Sequence, residues 1–593
     1  YGVGNHGGGP TKANLASIRQ MNADPNFPEL ELSTPNRFFE SVLGQDLPIP
    51  VVHDDLQHHA PGCYAVHSAV KRWNRESENL LLKAEKFSAI AARVTGQPYP
   101  DLSQAWKGVL FNQFHDIVAG TSLEVAYDDA RDLYGEANAI AARGLNQAIQ
   151  SMAWRVNIPQ VEGMKPIVVF NPHAWASRAN VELEFGGLKE TDILLDDEGR
   201  QVPLQTVRSG ATVTGWRKKL SFVADLPAMG YRTYRIITQE PQQQFTAVDS
   251  SDTHLENDRL RLEVNPMTGL IKLTDKKLGF DIIPVDGARP MVIEDKSDTW
   301  SHGITRYDNV VGRFEVKTVK LIEQGPVKSV IRVTYTYGAS TLYQEFAMYR
   351  DLAQVEVRVT VDWHEQHKVL KLRFPTGLHF PTATYETPYG HIERPVDGEE
   401  EPGQNWIDLT GVMRGTDKIY GLSVLNDGKY SFSVKEREMS LTVLRSPIYA
   451  HHDPYVPVEG ERYSYMDQGT QHFTYVLLPH EGGWEQGGTV RAAAELNQRP
   501  IPLIETYHNG PLPQKDSFVG VDVTNVVVSV VKKAEDSDDL VIRAYETDKI
   551  ATRATIRVFG RNIEAQFGPC EIKTFVVPVD AAAPVREVNL LEQ

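Results

Sequence analysis

The sequence predicts an α+β multidomain protein: the tail of an α/β domain, then a three-helix bundle, then antiparallel β-sandwich domains. Three observations predict it. Apolar residues recur at helical spacing from Gly62 to about Trp154, rich in Ala, Leu, Glu and Lys. After Pro159 that period almost vanishes, and short alternating segments such as KPIVVFNP, SVIRVTYTY and VEVRVTVDW follow one another between Gly, Pro, Asn and Asp. With 593 residues, 41% of them hydrophobic, the chain has material for several cores.

The elements follow in order. Residues 1–50 read as a glycine-rich turn, a helix beginning near Lys12, and a second helix announced by Ser33-Thr34-Pro35, whose hydroxyls cap and whose proline suits a first turn. Such a run fits the end of an α/β domain and is too short to fold alone. Residues 51–156 carry three helical segments, separated by TGQPYP and VAGTS. Residues 157–510 form the large β-sandwich region, in which MTGLIKLTDKKLGFDII separates two hairpin-like arms. A small β domain, residues 511–593, opens near PLPQKDSF. The acidic clusters DGEEE (397–401) and EDSDD (535–539) read as solvated loop tips.

Composition excludes some partners. A net charge of −17 leaves no basic surplus for nucleic acid or an anionic membrane surface, so a neutral partner is expected. No apolar run approaches the roughly 20 residues that span a bilayer. Two cysteines, Cys63 and Cys570, make neither a disulfide framework nor a cysteine-rich zinc module, and they suit a reducing, cytoplasmic compartment. The chain opens at Tyr1 without an initiator methionine or a charged-then-apolar leader, as the continuation of something longer would.

The stretch LFNQFHDIVAGTS places His115 and Asp116 inside an apolar helical pattern. On a continuous helix Trp106, Val109, Leu110, Phe114 and Ile117 share one broad face, while His115 falls roughly opposite Trp106, in line with Gly108. That suits a helix packed on two sides. A histidine in a helix is a structural group unless partners exist, and zinc asks for about four ligands. Other clusters are weaker. VVHDDLQHHAPG crowds polar groups without diagnostic spacing, and YAHHDP (His451, His452, Asp453) reads as a loop. DWHEQHK is one residue short of a metalloprotease motif and reads as a structural strand. NHGGGPT lacks the lysine and spacing of a phosphate loop. The segment DTWSHGITRYD mixes Trp300, His302, Arg306 and Tyr307, which suits a sugar and also an ordinary sandwich edge.

Ten stretches in order, among them YGVGNHGGGPT, GCYAVHSAVKRWNRESENLLLKAEKF, LFNQFHDIVAGTS, VVFNPHAW, YETPYGHIERP and DQGTQHFTYVLLPH, resemble the α-mannosidases of glycoside hydrolase family 38. The resemblance covers almost the whole chain. It implies a barrel-like α/β catalytic domain whose tail opens this chain, then a helix bundle and β-sandwiches. It further implies a retaining α-mannosidase acting on terminal α-mannosyl linkages of oligosaccharides, with one zinc ion. His115 matches a zinc ligand of the family and Asp116 a residue that contacts mannose hydroxyls; Trp300 and His302 are further candidates for the sugar. The family's His-x-Asp ligand pair and nucleophilic aspartate lie upstream of the glycine-rich stretch, where this chain begins. The expected partner is therefore that N-terminal catalytic segment, and the chain alone is expected to be inactive. Some relatives carry an aspartate where this chain has Asn5-His6; His6 is the candidate acid/base, since an imidazole shuttles a proton and an amide does not. A homodimer is expected on symmetry grounds. The alternative is a non-catalytic carbohydrate-binding or scaffolding protein of bundle and sandwiches, whereas a zinc peptidase lacks its motif.

Overall fold

The computed structural model describes residues 9–52, 60–210 and 217–593, and the chain divides into two compact units between residues 58 and 59. In the first unit, helix α1 (Lys12–Asn22) starts on a reciprocal cap: Thr11 Oγ1 accepts from the Asn14 N–H at 3.1 Å, and the Asn14 side chain accepts from the Thr11 N–H at 2.9 Å. Helix α2 (Pro35–Val42) starts at the expected signal, with Thr34 Oγ1 accepting from the Arg37 N–H at 3.3 Å and Pro35 in the first turn. Neither helix buries a residue.

The second unit begins with a helical layer: α3 (Gly62–Ala65), α4 (Ser68–Thr95), α5 (Ser103–Asn112), α6 (His115–Val118) and α7 (Glu124–Ala153). The long helix α4 is capped by His67, whose φ of 53° and ring Nδ1 let it accept from the Val70 N–H, and it ends at Gly96 with φ 74°. Leu81, Ala84, Phe87 and Ile90 of α4 close against Tyr134, Ala137, Ala141 and Ala148 of α7, all within one core. Small residues on α7 let the two helices approach closely. That same core runs on into the C-terminal sandwich through Val528 and Ile542.

The expected continuous helix through LFNQFHD is two helices. The chain breaks after Asn112 because Gln113 Nε2 donates to Asn74 Oδ1 (3.1 Å) and Glu78 Oε1 (2.8 Å) of α4, while Asn112 Nδ2 donates to Ala130 O of α7 at 3.3 Å. The expected apolar face dissolves with it: Val109 is buried, but Leu110 and Phe114 are exposed. Gly108 faces the Leu133 carbonyl of α7, so its missing side chain serves the bundle rather than an opposite face.

The β layers follow alternation. A nine-stranded antiparallel sheet has Val355–Trp363, Gly469–Glu481 and Ile419–Asn426 at its middle, with Val359 opposite Phe473 and Leu422 opposite Pro479. It packs face to face on a six-stranded sheet containing Arg289–Glu294, Lys368–Pro375 and Glu438–Arg445. Val357, Val361 and Tyr475 of the first meet Leu370, Phe374 and Leu441 of the second in one core. Two short helices, α8 (Trp484–Gly487) and α9 (Thr489–Asn497), return the chain to the strand Ile501–Ile504, which pairs with Lys165–Asn171. Three- and four-stranded sheets form the C-terminal domain.

Two expectations fail here. DGEEE is a strand, Asp397–Pro402, and Glu400 is fully buried: it pairs with Lys371, whose Nζ also donates to Ser433 Oγ at 2.7 Å, and accepts from Ser431 and Thr442. The histidines of DWHEQHK lie in the turn between Trp363 and Lys368, outside the strand assigned to them.

Candidate functional site

Helix α6 is a short, half-buried element on a braced backbone. The buried Lys71 ammonium donates to Val66 O (2.6 Å), Val118 O (3.2 Å) and Ala119 O (3.3 Å), so it satisfies carbonyls at the C-terminal end of α6 while tying them to α3. Gly120, at φ 86°, lets the chain turn against Val66, whose carbonyl oxygen would lie 2.5 Å from any Cβ there. Behind the pair, Thr121 Oγ1 donates to Asp116 Oδ1 at 2.9 Å, and the Asp116 carbonyl accepts from the Thr121 N–H and the Tyr127 hydroxyl. Tyr127 in turn stacks on His67 with ring centroids 3.7 Å apart. Burial, with Lys71 adding, pulls the His67 pKa down to about 3, so that ring is neutral.

What α6 offers outward is His115, with 62% of its side chain exposed, and Asp116, with 39%. His115 Nε2 lies 3.2 Å from Asp116 Oδ2, and its ring leans on Phe114 at 4.1 Å. Asp116 thus has one oxygen held by the protein and one beside the imidazole.

A second group comes from the sandwich. Trp300, His302 and His452 cluster, with centroids of 5.0 Å for Trp300–His452 and 5.1 Å for His302–His452. Their loop is anchored by Arg445, fully buried, which pairs with Asp295, donates to the carbonyls of Asp298 and Thr299, and reaches Ser297 Oγ at 2.9 Å. The buried Asp298 carboxylate accepts from His302 Nδ1 at 2.6 Å and from the backbone N–H groups of His302 (2.9 Å) and Asp453 (3.0 Å). Burial opposes its charge, but these donors outweigh it and hold its pKa below the usual carboxylate range. With Nδ1 committed to Asp298, Nε2 is the ring atom His302 has left for a ligand.

The two groups adjoin through α3. The Gly62 N–H donates to Trp300 O at 3.1 Å, and a Cβ on Gly62 would lie 2.4 Å from Thr299 O. Cys63 follows. Burial pushes its thiol pKa up, and the charges of Lys71, Arg445, Asp298 and Asp116 all act on it.

Three family models match this chain. That of the alpha mannosidase middle domain covers residues 58–152, that of the glycosyl hydrolases family 38 C-terminal domain residues 255–454, and that of the family 38 C-terminal beta sandwich domain residues 525–593. The chain belongs to glycosyl hydrolase family 38. It is 25% identical over 591 residues to alpha-mannosidase G of Dictyostelium discoideum and 27% identical over 582 residues to alpha-mannosidase 2C1 of Mus musculus, in each case across 92% of this chain. It spans about half the length of those relatives, 52% and 50%. The crystal structure of an alpha-mannosidase from Enterococcus faecalis V583 superposes with a TM-score of 0.80 over 96% of this chain and 75% of that one, at 16% identity, a likeness of fold.

In this family 38 chain, the metal question is decided by ligand count. Among the described residues no group of three or more His, Cys, Asp or Glu side chains is placed to hold a metal ion. His115 and Asp116 alone fall short of the roughly four donors zinc takes, so the described residues do not form a zinc site. The other sequence clusters are committed elsewhere: His451 Nε2 binds Tyr455 O at 2.7 Å, and His364 Nε2 binds Asp362 Oδ2 at 3.0 Å. His6 and the HDDLQHH run, residues 53–59, lie outside the described residues. Sequence reasoning missed Asp298, Cys63 and Arg445, and it left His452 with an unrelated cluster. The one available signal was the loop composition on both sides, since no spacing joins residue 300 to residue 452.

Proposed function

We propose that this chain is part of a metal-dependent retaining α-mannosidase that removes terminal α-mannosyl units from oligosaccharides. The observation that carries the reading is the outward His115–Asp116 pair on a braced helix, in a chain whose relatives are named alpha-mannosidases. In this reading Asp116 Oδ2 accepts hydrogen bonds from sugar hydroxyls. The Trp300 ring covers an apolar sugar face, and His302 Nε2 hydrogen-bonds a hydroxyl beside it. A retaining course further needs a nucleophilic carboxylate on one side of the anomeric carbon and a proton donor on the other; His6 is the proposed donor. The proposed metal is zinc, to which the described residues offer His115 alone. A reducing, cytoplasmic setting is proposed on the two free cysteines.

The test is release of nitrophenol from 4-nitrophenyl α-D-mannopyranoside by the full-length protein. His115→Ala is expected to lower kcat/KM by about 100-fold or more with an unchanged circular dichroism spectrum, because that side chain is exposed. Trp300→Ala is expected to raise KM more than it lowers kcat. Full turnover by His115→Ala would overturn the reading.

A further inference from the structure

A groove of about 730 Å³ lies where the strands Ser177–Gly186 and Arg217–Leu226 meet α9 and the strands Lys515–Ser517 and Thr552–Val558. That volume falls within the roughly 300–1,000 Å³ of small-molecule sites. In a chain of net charge −17, the lining sets five cations, Arg178, Arg232, Arg491, Lys515 and Arg557, against one carboxylate, Asp225. Strand register gathers them. Arg178 lies opposite Asp225, Lys515 opposite Arg232, and Arg557 opposite Gly520, a lining residue with no side chain to occupy the space.

Two of the five are neutralised by the protein. Arg232 is buried and pairs with Asp196 at 2.9 Å and Asp197 at 2.5 Å, and Arg178 pairs with Asp225 at 3.2 Å. The other three form no ion pair among the described residues. Lys515 and Arg557 are exposed, so both meet solvent in the groove. Arg491 is held in place: Nη2 donates to Val523 O at 2.5 Å, and the guanidinium lies 4.9 Å over the Trp175 ring. The carboxylates adjoining these cations are engaged elsewhere. Asp516 Oδ1 accepts from the Ser517 N–H and Asp522 Oδ1 from the Thr555 N–H, both at 2.8 Å, although the Arg557 charge reaches Asp522. Glu495 accepts from Trp175 Nε1 at 2.8 Å, and burial pushes its pKa up.

Uncompensated cations on a concave surface focus a positive potential there. A small anion inside the groove meets only that potential, whereas a long polyanion also runs over the negative surface of the rest of the chain. Guanidinium groups match phosphate oxygens with two parallel donors, and an ammonium adds a point charge. Leu226, Pro227 and Val521 supply an apolar wall for the carbon skeleton of a phosphorylated molecule. We propose that this groove is a binding site for a small phosphate-bearing anion, held by Lys515, Arg557 and Arg491. It stands whether or not the mannosidase reading holds.

The test is calorimetric titration of the full chain, at constant ionic strength, with glucose 6-phosphate and with inorganic phosphate. Saturable binding of glucose 6-phosphate is expected, equal in wild type and His115→Ala. Lys515→Gln and Arg557→Gln, both at exposed positions, are each expected to weaken it about tenfold, the loss of one hydrogen bond to a charged donor, at an unchanged melting temperature. Lys320→Gln removes an exposed lysine outside the groove and is expected to bind as wild type. Inorganic phosphate binding as tightly as the sugar phosphate supports a site for free phosphate, and weaker binding supports one for a phosphorylated organic molecule. Absence of saturable binding by either probe, an equal loss in Lys320→Gln, loss in His115→Ala, full affinity in both Lys515→Gln and Arg557→Gln, or tenfold tighter binding of a tetraglutamate peptide would each overturn the proposal.

Discussion

Replacing Lys71 by methionine removes the donor that holds α6 in place while keeping most of the side-chain volume. Three carbonyls lose a charged donor, at 2.6, 3.2 and 3.3 Å. A hydrogen bond to a charged group is worth about 1.5–3 kcal/mol, so the three together hold roughly 5–7 kcal/mol, with the two longer ones at the low end of the range. Against this, methionine relieves the cost of burying an ammonium, a cost visible in the Lys71 pKa, which burial pulls down to about 8. The balance is a loss of about 2–4 kcal/mol, concentrated where the bonds are. Global denaturation of a multidomain chain would blur it. Hydrogen exchange reads it locally: the Val118 N–H donates to Phe114 O and the Thr121 N–H to Asp116 O, both on the segment released. Exchange there should accelerate by about 30- to 1,000-fold, with amides in the middle of α4 and α7 unchanged. Unchanged exchange across residues 117–121 would refute Lys71 as the brace.

Further outcomes follow from the same contacts. Gly62→Ala places a methyl group 2.4 Å from Thr299 O and 2.5 Å from Arg445 Nη1, so the Trp300 loop must shift; a cost of about 1–3 kcal/mol is expected in the melting temperature, with a change in tryptophan fluorescence. Arg445→Met strands the buried Asp295 carboxylate and should cost about 3–5 kcal/mol, measured by differential scanning calorimetry. Glu386 has a folded pKa of about 7 against an ordinary 4.5, so between those values the folded state holds the extra proton and stability falls as pH rises through the window. Glu386→Gln should flatten that slope between pH 4.5 and 7; an identical slope in variant and wild type would exclude Glu386 as its source.

The helices and strands were legible because their periods are local. Residues three and four apart set a helix face, and Leu81, Ala84 and Phe87 need no knowledge of their partner to be read as core. The break between α5 and α6 was not legible, because its cause is remote: Gln113 turns aside for Asn74 and Glu78, 39 and 35 positions away. Glu400 shows the same limit in reverse. Five letters, DGEEE, carry the composition of a solvated tip, yet the middle carboxylate is buried by Lys371 and Thr442 on other strands of its own sheet, 29 and 42 positions on either side. Charge patterning reports the surface only while no opposite charge folds onto it.

The candidate site divides along this line, and the division has a physical cause. His115 and Asp116 are adjacent in sequence, so a motif preserves them together. Trp300 and His452 come together through remote contacts: Arg445 orders the Asp298–Thr299 backbone, Asp298 accepts from the Asp453 N–H, and Thr299 donates to the His451 and Ile448 carbonyls. The outward side chains all sit on short elements, His115 and Asp116 on a four-residue helix and Trp300, His302 and His452 in loops. Short elements have no periodicity to read and no propensity strong enough to hold them. Their geometry is set by buried polar groups, Lys71, Arg445 and Asp298, that look like surface charge in the sequence and act as fixed anchors in the fold. Exposed side chains on an anchored backbone can meet a ligand without first being ordered, so the entropy of holding the site is met by folding rather than by binding.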